Sequence, residues 1–364
     1  MLRLSVLSIY CYCLPFTEFM IIPFFIPHAG CQHQCVFCNQ NNIIGRSLPE
    51  NPSAIADKIR LYRSASASDK PVHVAFYGGS FTALPLEMQK NYLAAVQPFI
   101  NTGLVRDIRL STRPDCINEN KLSFLKSYQV HTVELGAQSM NDNVLTLSGR
   151  GHTAADTDKS FRLLRQYAFS VGIQLMPGLP GDSVAIFRET VDKVIKLKPD
   201  FIRLYPVLVI KDTPLATLFR RGRYTPLALE SSVEMCREAY LRFEQNGIDV
   251  IRMGLQPTEE LDKPGTVLAG PYHPAFRQLV ESSILLDKMR SALANVNGGP
   301  KSSVLLVNPR DVPAAIGQKR KNVEIIKKEF GLGDIAIHGD HMVSRHAVVV
   351  TTKKALGRSR DGIR

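Results

Sequence analysis

The 364-residue chain has three cysteines in eight positions, Cys31, Cys35 and Cys38, and no fourth nearby. Its seven cysteines, an odd number, exclude the paired framework of a small secreted domain and suit a reducing cytoplasm. Long apolar runs are missing as well. The opening stretch "MLRLSVLSIYCYCLPFTEFM" is broken by Pro15, Thr17 and Glu18, too early for a membrane span. No small-residue cleavage site follows it, so residues 1–19 read as an apolar extension outside the fold and not as a secretory leader. Acidic residues are scarce, 33 against 45 Lys and Arg, which leaves a net charge of +12 and favours a polyanionic partner. Wholesale disorder is excluded, because 45% of the residues are hydrophobic and only 21% are charged.

What is present from Met20 onward is alternation. Short apolar runs begin at Ile21, Val72, Asp107, His131, Ser170, Phe201 and Asp249, and most are apolar throughout, as parallel strands buried on both faces are. Helical spacing separates them: Leu86, Leu93, Val96 and Ile100 form one stripe, and Val233, Cys236, Tyr240 and Phe243 another. The pattern predicts an α/β fold over residues 20–270, a partial parallel (β/α) barrel of the TIM type, with a doubly wound sheet as the alternative. Polar and glycine-rich segments follow the strands: "GGSFT", "STRPD", "GAQSM" and "MPGLPGD". In a parallel barrel these positions line the mouth, where active sites lie, and the cysteines follow the first strand to the same place.

A helix and linker occupy 271–300, and a small basic α+β module follows at 301–349: strand from Ser303, loop "AAIGQKRKN" from Ala314, helix from Val323 and strand from Asp334. Residues 350–364 read as a basic tail. From Gly298 onward there are thirteen Lys or Arg against six Asp or Glu, so more than half the net charge sits in this last part.

Three thiolates on one tight loop can share a single cofactor. Structural zinc takes four ligands and would need His28 or His33 to complete the set. A 4Fe–4S cluster takes one thiolate per iron, so three cysteines leave one iron open. Cys116 and Cys236 lie elsewhere and read as packed thiols.

The C-x3-C-x2-C loop, with Phe37 before its last cysteine, strongly resembles the radical SAM superfamily. That resemblance implies a 4Fe–4S cluster on Cys31, Cys35 and Cys38 whose open iron chelates S-adenosylmethionine (SAM). Reductive cleavage of SAM then gives a 5′-deoxyadenosyl radical that abstracts hydrogen from substrate. It also implies a SAM site at Gly78, Gly79 and Ser80, with Ser111, Arg113 and Gln138 as ligands of SAM or substrate and "QLMPGLPG" near the adenine. Glu134, Gln138 and Gln174 have an equally open structural reading, as polar groups satisfied inside the barrel.

"FYGGSFTALP", "STRPDCI", "VELGAQSM", "SGRGHT", "MPGLPGD" and "LYPVLVIKDTPL…GRY" occur in the order found in the radical SAM domain of the elongator catalytic subunit, which they resemble. "AGPYHPAFRQLVES" is similar to the ending of a shorter bacterial group related to that subunit. The resemblance implies a role in tRNA modification, with a reductant such as flavodoxin or ferredoxin. Two departures stand out. The Cys31–Cys35 spacing is narrower than in that subunit, and the seventy-five residues after Met289 are too few for its acetyltransferase domain. The module around "AAIGQKRKN" resembles a KH-type RNA-binding domain, which implies a backbone-clamping loop at Gly317 with Lys319, Arg320 and Lys321 on phosphates. Arg320 stands where such a loop has glycine. Two other functions fit the residues: radical chemistry on a small molecule such as a tetrapyrrole, and a non-catalytic RNA-binding protein with a structural metal.

Overall fold

The computed structural model describes residues 20–44, 51–64, 72–296 and 303–352. The apolar extension 1–19, linker residues 297–302 and tail residues 353–364 lie outside the described residues. The chain divides into two compact units, Met1–Ser232 with Ala239–Tyr272, and Val233–Glu238 with His273–Arg364.

In the first unit every predicted apolar run contains a strand. These are β1 (Ile21–Ile26), β2 (Val72–Gly78), β3 (Val105–Thr112), β4 (Val130–Gln138), β5 (Ser170–Leu175), β6 (Phe201–Leu204) and β7 (Asp249–Met253). They pair in chain order and all parallel, forming a half-barrel with helices between the strands. The curl shows in the core: Ile21 of β1 shares one cluster with Phe201 of β6 and Ile251 of β7. The run from Phe201 is not one strand. It stops at Leu204, just before Pro206, which has no N–H to give a ladder, and Val209–Ile210 pairs antiparallel with Val267–Ala269 instead.

The helical stripes fold as α1 (Leu86–Asn101) and α4 (Leu229–Gln245); α2 (Ala154–Gln166) and α3 (Val184–Leu197) lie between them in sequence. On α1, Leu93 and Val96 are fully buried, whereas Leu86, in its first turn, is 60% exposed. Thr153 and Asp156 close a capping box at the start of α2, each satisfying a backbone N–H that the helix cannot.

The second unit has a three-stranded sheet with β8 (Ser303–Val307) at its centre, parallel to β9 (Ala336–Gly339) and antiparallel to β10 (Val348–Thr352). Leu285, Met289 and Leu293 of α5 (Phe276–Ala294) pack with Leu305, Ala315, Val323 and Ile326. Two predicted boundaries move. The stretch from Ala314 is helical at both ends, in α6 (Val312–Ile316) and α7 (Lys321–Phe330), so only Gly317 and a single 3-10 turn at Gln318–Arg320 separate them. Residues 350–352, predicted as tail, finish β10, because alternate valines Val348 and Val350 pack on the core.

Candidate active site at the mouth of the half-barrel

The cysteine loop leaves β1 and is pressed against the end of β2. The Ser80 N–H donates to the Ala29 carbonyl at 2.9 Å. A Cβ on Gly79 would stand 2.0 Å from that same oxygen, and one on Gly30 would stand 2.3 Å from the Ser80 carbonyl. Only hydrogen fits at either position. The far side of the loop is tied down too. The Val36 N–H donates to the Ser148 carbonyl at 3.0 Å, and the Val36 carbonyl accepts from the Leu215 N–H at 2.8 Å.

These ties set the thiols. Cys35 is buried, Cys38 half-buried and Cys31 exposed. Arg150 Nη1 donates to Cys35 Sγ at 3.1 Å, and Cys31 Sγ lies 3.9 Å from Ser80 Oγ. Burial first, and then the neighbouring Cys35 and Cys31, push the Cys38 thiol up to about 12. Such a group ionises only against a strong local cation, such as a coordinated metal would supply. Among the described residues no three His, Cys, Asp or Glu side chains converge on a single metal ion. A cluster asks less of them, since each thiolate binds its own iron. The histidines needed for a four-ligand zinc site are engaged elsewhere: His28 Nε2 accepts from the Gln40 N–H at 2.9 Å, and His33 lies 4.0 Å from Asp115.

One cavity of about 300 Å³ opens at this mouth, and every site residue read from the barrel sequence lines it. Cys31, Cys35, Phe37 and Cys38 form one wall, while Gly78, Gly79, Ser80, Ser111, Arg113, Gln138 and Gln174 come from the ends of β2 to β5 and the residues just after them. Gly78 and Gln138 both have positive φ, +102° and +69°. For glutamine this is a strained conformation. The Gln138 Oε1 atom is buried without a hydrogen-bond partner among the described residues. A glycine-lined cradle and an orphaned acceptor, beside three thiols, fit a cluster with a polar organic ligand.

Two predicted ligands have other partners. Arg113 grips Asp115 with both nitrogens, at 2.9 and 2.8 Å, so its charge is already balanced. Gln174 Nε2 reaches Glu134 Oε2 at 3.4 Å. Glu134 is fully buried, which alone would raise its carboxyl, but Arg203 and Arg109 beside it hold it below the ordinary carboxylate value. Cys116 and Cys236 are buried thiols, both pushed up by burial.

Arg150 is the site residue that sequence reasoning left unassigned, although it sits in the "SGRGHT" segment. In the "MPGLPGD" segment, Asp182 accepts from the Gly178 and Ser183 N–H groups, both at 2.9 Å, while burial raises its carboxyl to about 6. The residues Gly317, Lys319, Arg320 and Lys321 belong to the second unit. Lys319, Arg320 and Lys321 are exposed. Lys319 and Arg320 both have positive φ, +50° and +61°, so the arginine in the glycine position adopts the backbone that glycine favours.

Comparison with known proteins agrees with this geometry. The family model described as "Radical SAM superfamily" matches residues 25–194, and "Radical_SAM C-terminal domain" matches 199–285. A protein named tRNA uridine(34) acetyltransferase from Methanocaldococcus jannaschii is 33% identical over 184 residues, 45% of this chain and 34% of that relative. The chain thus spans about a third of that relative's length. Heme chaperone HemW of Bacillus subtilis is 24% identical over 64% of this chain and 61% of its own. Among solved structures, the archaeal Methanocaldococcus infernus Elp3 with an N-terminal deletion shares the fold, with a TM-score of 0.56 at 22% identity over 72% of this chain and 62% of that one.

Proposed function

The chain belongs to the radical SAM superfamily, and we propose that it uses this cavity for radical modification of an RNA, with tRNA as the substrate. Cys31, Cys35 and Cys38 would hold a 4Fe–4S cluster; Gly78, Gly79, Ser80 and Gln138, with Phe37, Ser111, Arg113 and Gln174 around them, would receive SAM. Bound there, the two supply one-electron cleavage of a sulfonium and abstraction of a hydrogen atom from substrate. The protein's own part is positioning. Gly79 and Gly30 fix the thiol loop against β2, and Arg150 holds Cys35 in place. Phe25, Ile43 and Leu208 give the cavity apolar walls that keep water from a reactive centre.

The observation that carries the reading is the convergence of three thiols and the glycine cradle on one cavity. RNA as substrate rests on the named tRNA-modifying relative and on the exposed Lys319 and Arg320 between two helices, with Lys321 opening the second of them, as in a KH-type module. The electrons would come from a reductant such as flavodoxin or ferredoxin. A second reading, a tetrapyrrole ligand, rests on the match to the heme chaperone. Anaerobic reconstitution with iron and sulfide, followed by dithionite and SAM, tests the chemistry: 5′-deoxyadenosine is expected, and its absence overturns the radical reading. Sequencing of RNA that co-purifies tests the substrate; a bound porphyrin absorbance with no RNA would favour the tetrapyrrole.

A further inference from the structure

Arg203 of β6 and Arg252 of β7 are register partners on adjacent parallel strands, and both line the cavity. Register partners share a face of a sheet, so two arginines occupy neighbouring positions on the lumen wall, where like charges cost stability unless something neutralises them. One carboxylate is near. Glu134 lies 2.7 Å from Arg203 Nε, but it also takes two hydrogen bonds from Arg109, at 3.1 and 2.7 Å. Arg252 has only a neutral partner, Gln256 Oε1 at 2.5 Å, and forms no ion pair among the described residues. Burial keeps the nearby Tyr77 phenol protonated, so it adds no negative charge. Arg109, Arg203 and Arg252 outnumber Glu134 by two charges, with Arg203 and Arg252 at the cavity wall and Arg109 and Glu134 behind it. Arg203, like the Glu134 it faces, is almost wholly buried. Arg203 also donates to the Tyr205 and Tyr77 hydroxyls, at 3.2 and 2.9 Å, so it is the half-buried Arg252 whose charge lacks a carboxylate at this wall.

We propose that Arg203 and Arg252 form an oxyanion subsite that takes the phosphate of a nucleotide substrate. The choice of phosphate rests on the RNA reading; the anion itself rests on the charge count. The forked, planar guanidinium suits a tetrahedral or planar oxyanion better than a point charge would. The subsite lies on β6 and β7, next to β5, where Gln174 is the register partner of Arg203, so an anion held there would sit beside the residues assigned to SAM.

Calorimetric titration of the purified full chain with uridine 5′-monophosphate, uridine, inorganic phosphate and glutarate tests this. The monophosphate should bind at least about tenfold tighter than uridine, as a charged hydrogen-bonded pair does. Arg252→Gln should erase that difference, and Arg252→Lys should restore part of it. Arg252→Gln should also melt at the same temperature or higher, since a like-charge neighbour is gone; a purely structural arginine would lower it. Equal binding of monophosphate and uridine, or monophosphate binding unchanged in Arg252→Gln, overturns the subsite. Arg252-dependent binding of glutarate without phosphate overturns the nucleotide assignment. Binding of tRNA to the same protein, measured separately, tells failure of the subsite from failure of the RNA reading.

Discussion

Arg150 reaches Cys35 across 115 residues of sequence, its Nη1 donating to the sulfur at 3.1 Å while its Nη2 donates to the Gly136 carbonyl. Its own carbonyl accepts from Arg113. The end of β4, the following loop and the cysteine loop therefore share one guanidinium. Arg150→Met should cost about 2 kcal/mol, because buried acceptors lose a charged donor. Urea unfolding checks the cost, and iron content after reconstitution should fall in parallel.

Replacing Cys31, Cys35 or Cys38 with Ala should abolish iron retention and SAM cleavage while leaving the half-barrel folded. Far-ultraviolet circular dichroism and iron analysis on the same samples check both halves. A variant that keeps its full iron content would show that the cluster has other ligands.

Gly79→Ala drives a methyl group into the Ala29 and Ile26 carbonyls, at 2.0 and 2.6 Å, and neither backbone can yield cheaply. The expected loss is about 3 kcal/mol. Gly247→Ala is the control. Its φ is +69° but nothing lies within 4 Å of the new Cβ, so about 1 kcal/mol of backbone strain is all it should cost. Equal losses in the two variants would contradict the close approach of loop and strand.

His152 is 5% exposed, and burial, then Arg150 and Arg113, lower its pKa to about 4. The unfolded chain takes up a proton near the usual 6.5 that the folded chain refuses. The stability this supplies is intact above about pH 6.5 and drains away as pH falls toward 4, by about 3 kcal/mol in all. Melting curves across that range should show the loss, and His152→Gln should flatten it.

Neutralising Lys319, Arg320 and Lys321 together should weaken RNA binding and reduce its logarithmic salt slope by about 2. Arg320→Gly alone should hold or raise stability by up to about 1 kcal/mol, since φ +61° suits glycine better than arginine. Normal RNA affinity in the triple variant at moderate salt would remove the loop from the interface.

The strands and the cavity were legible because both depend on local signals. Strands buried on two faces write continuous apolar runs, and the polar residues after them fall at the mouth by topology alone. What escaped depended on pairing at a distance. Val350–Thr352 borders a basic run, so the last three residues of β10 passed for the start of a tail. The helical ends of "AAIGQKRKN" were hidden by its glycine and lysines. The Arg203–Arg252 pairing is set by register between strands nearly fifty residues apart, and no single sequence displays that. Arg113 was a fair candidate by position, but its grip on Asp115, two residues later, depends on a rotamer.

The contact at Gly79 has a practical meaning for anyone altering this protein. Because the end of the second strand and the thiol loop touch with no spare room, the anchor for metal binding is borrowed from the barrel's framework. Exposed residues between the cysteines, such as Gln32 and Gln34, can then be exchanged to tune solvent access or electron entry, while the loop's root stays where the second strand puts it.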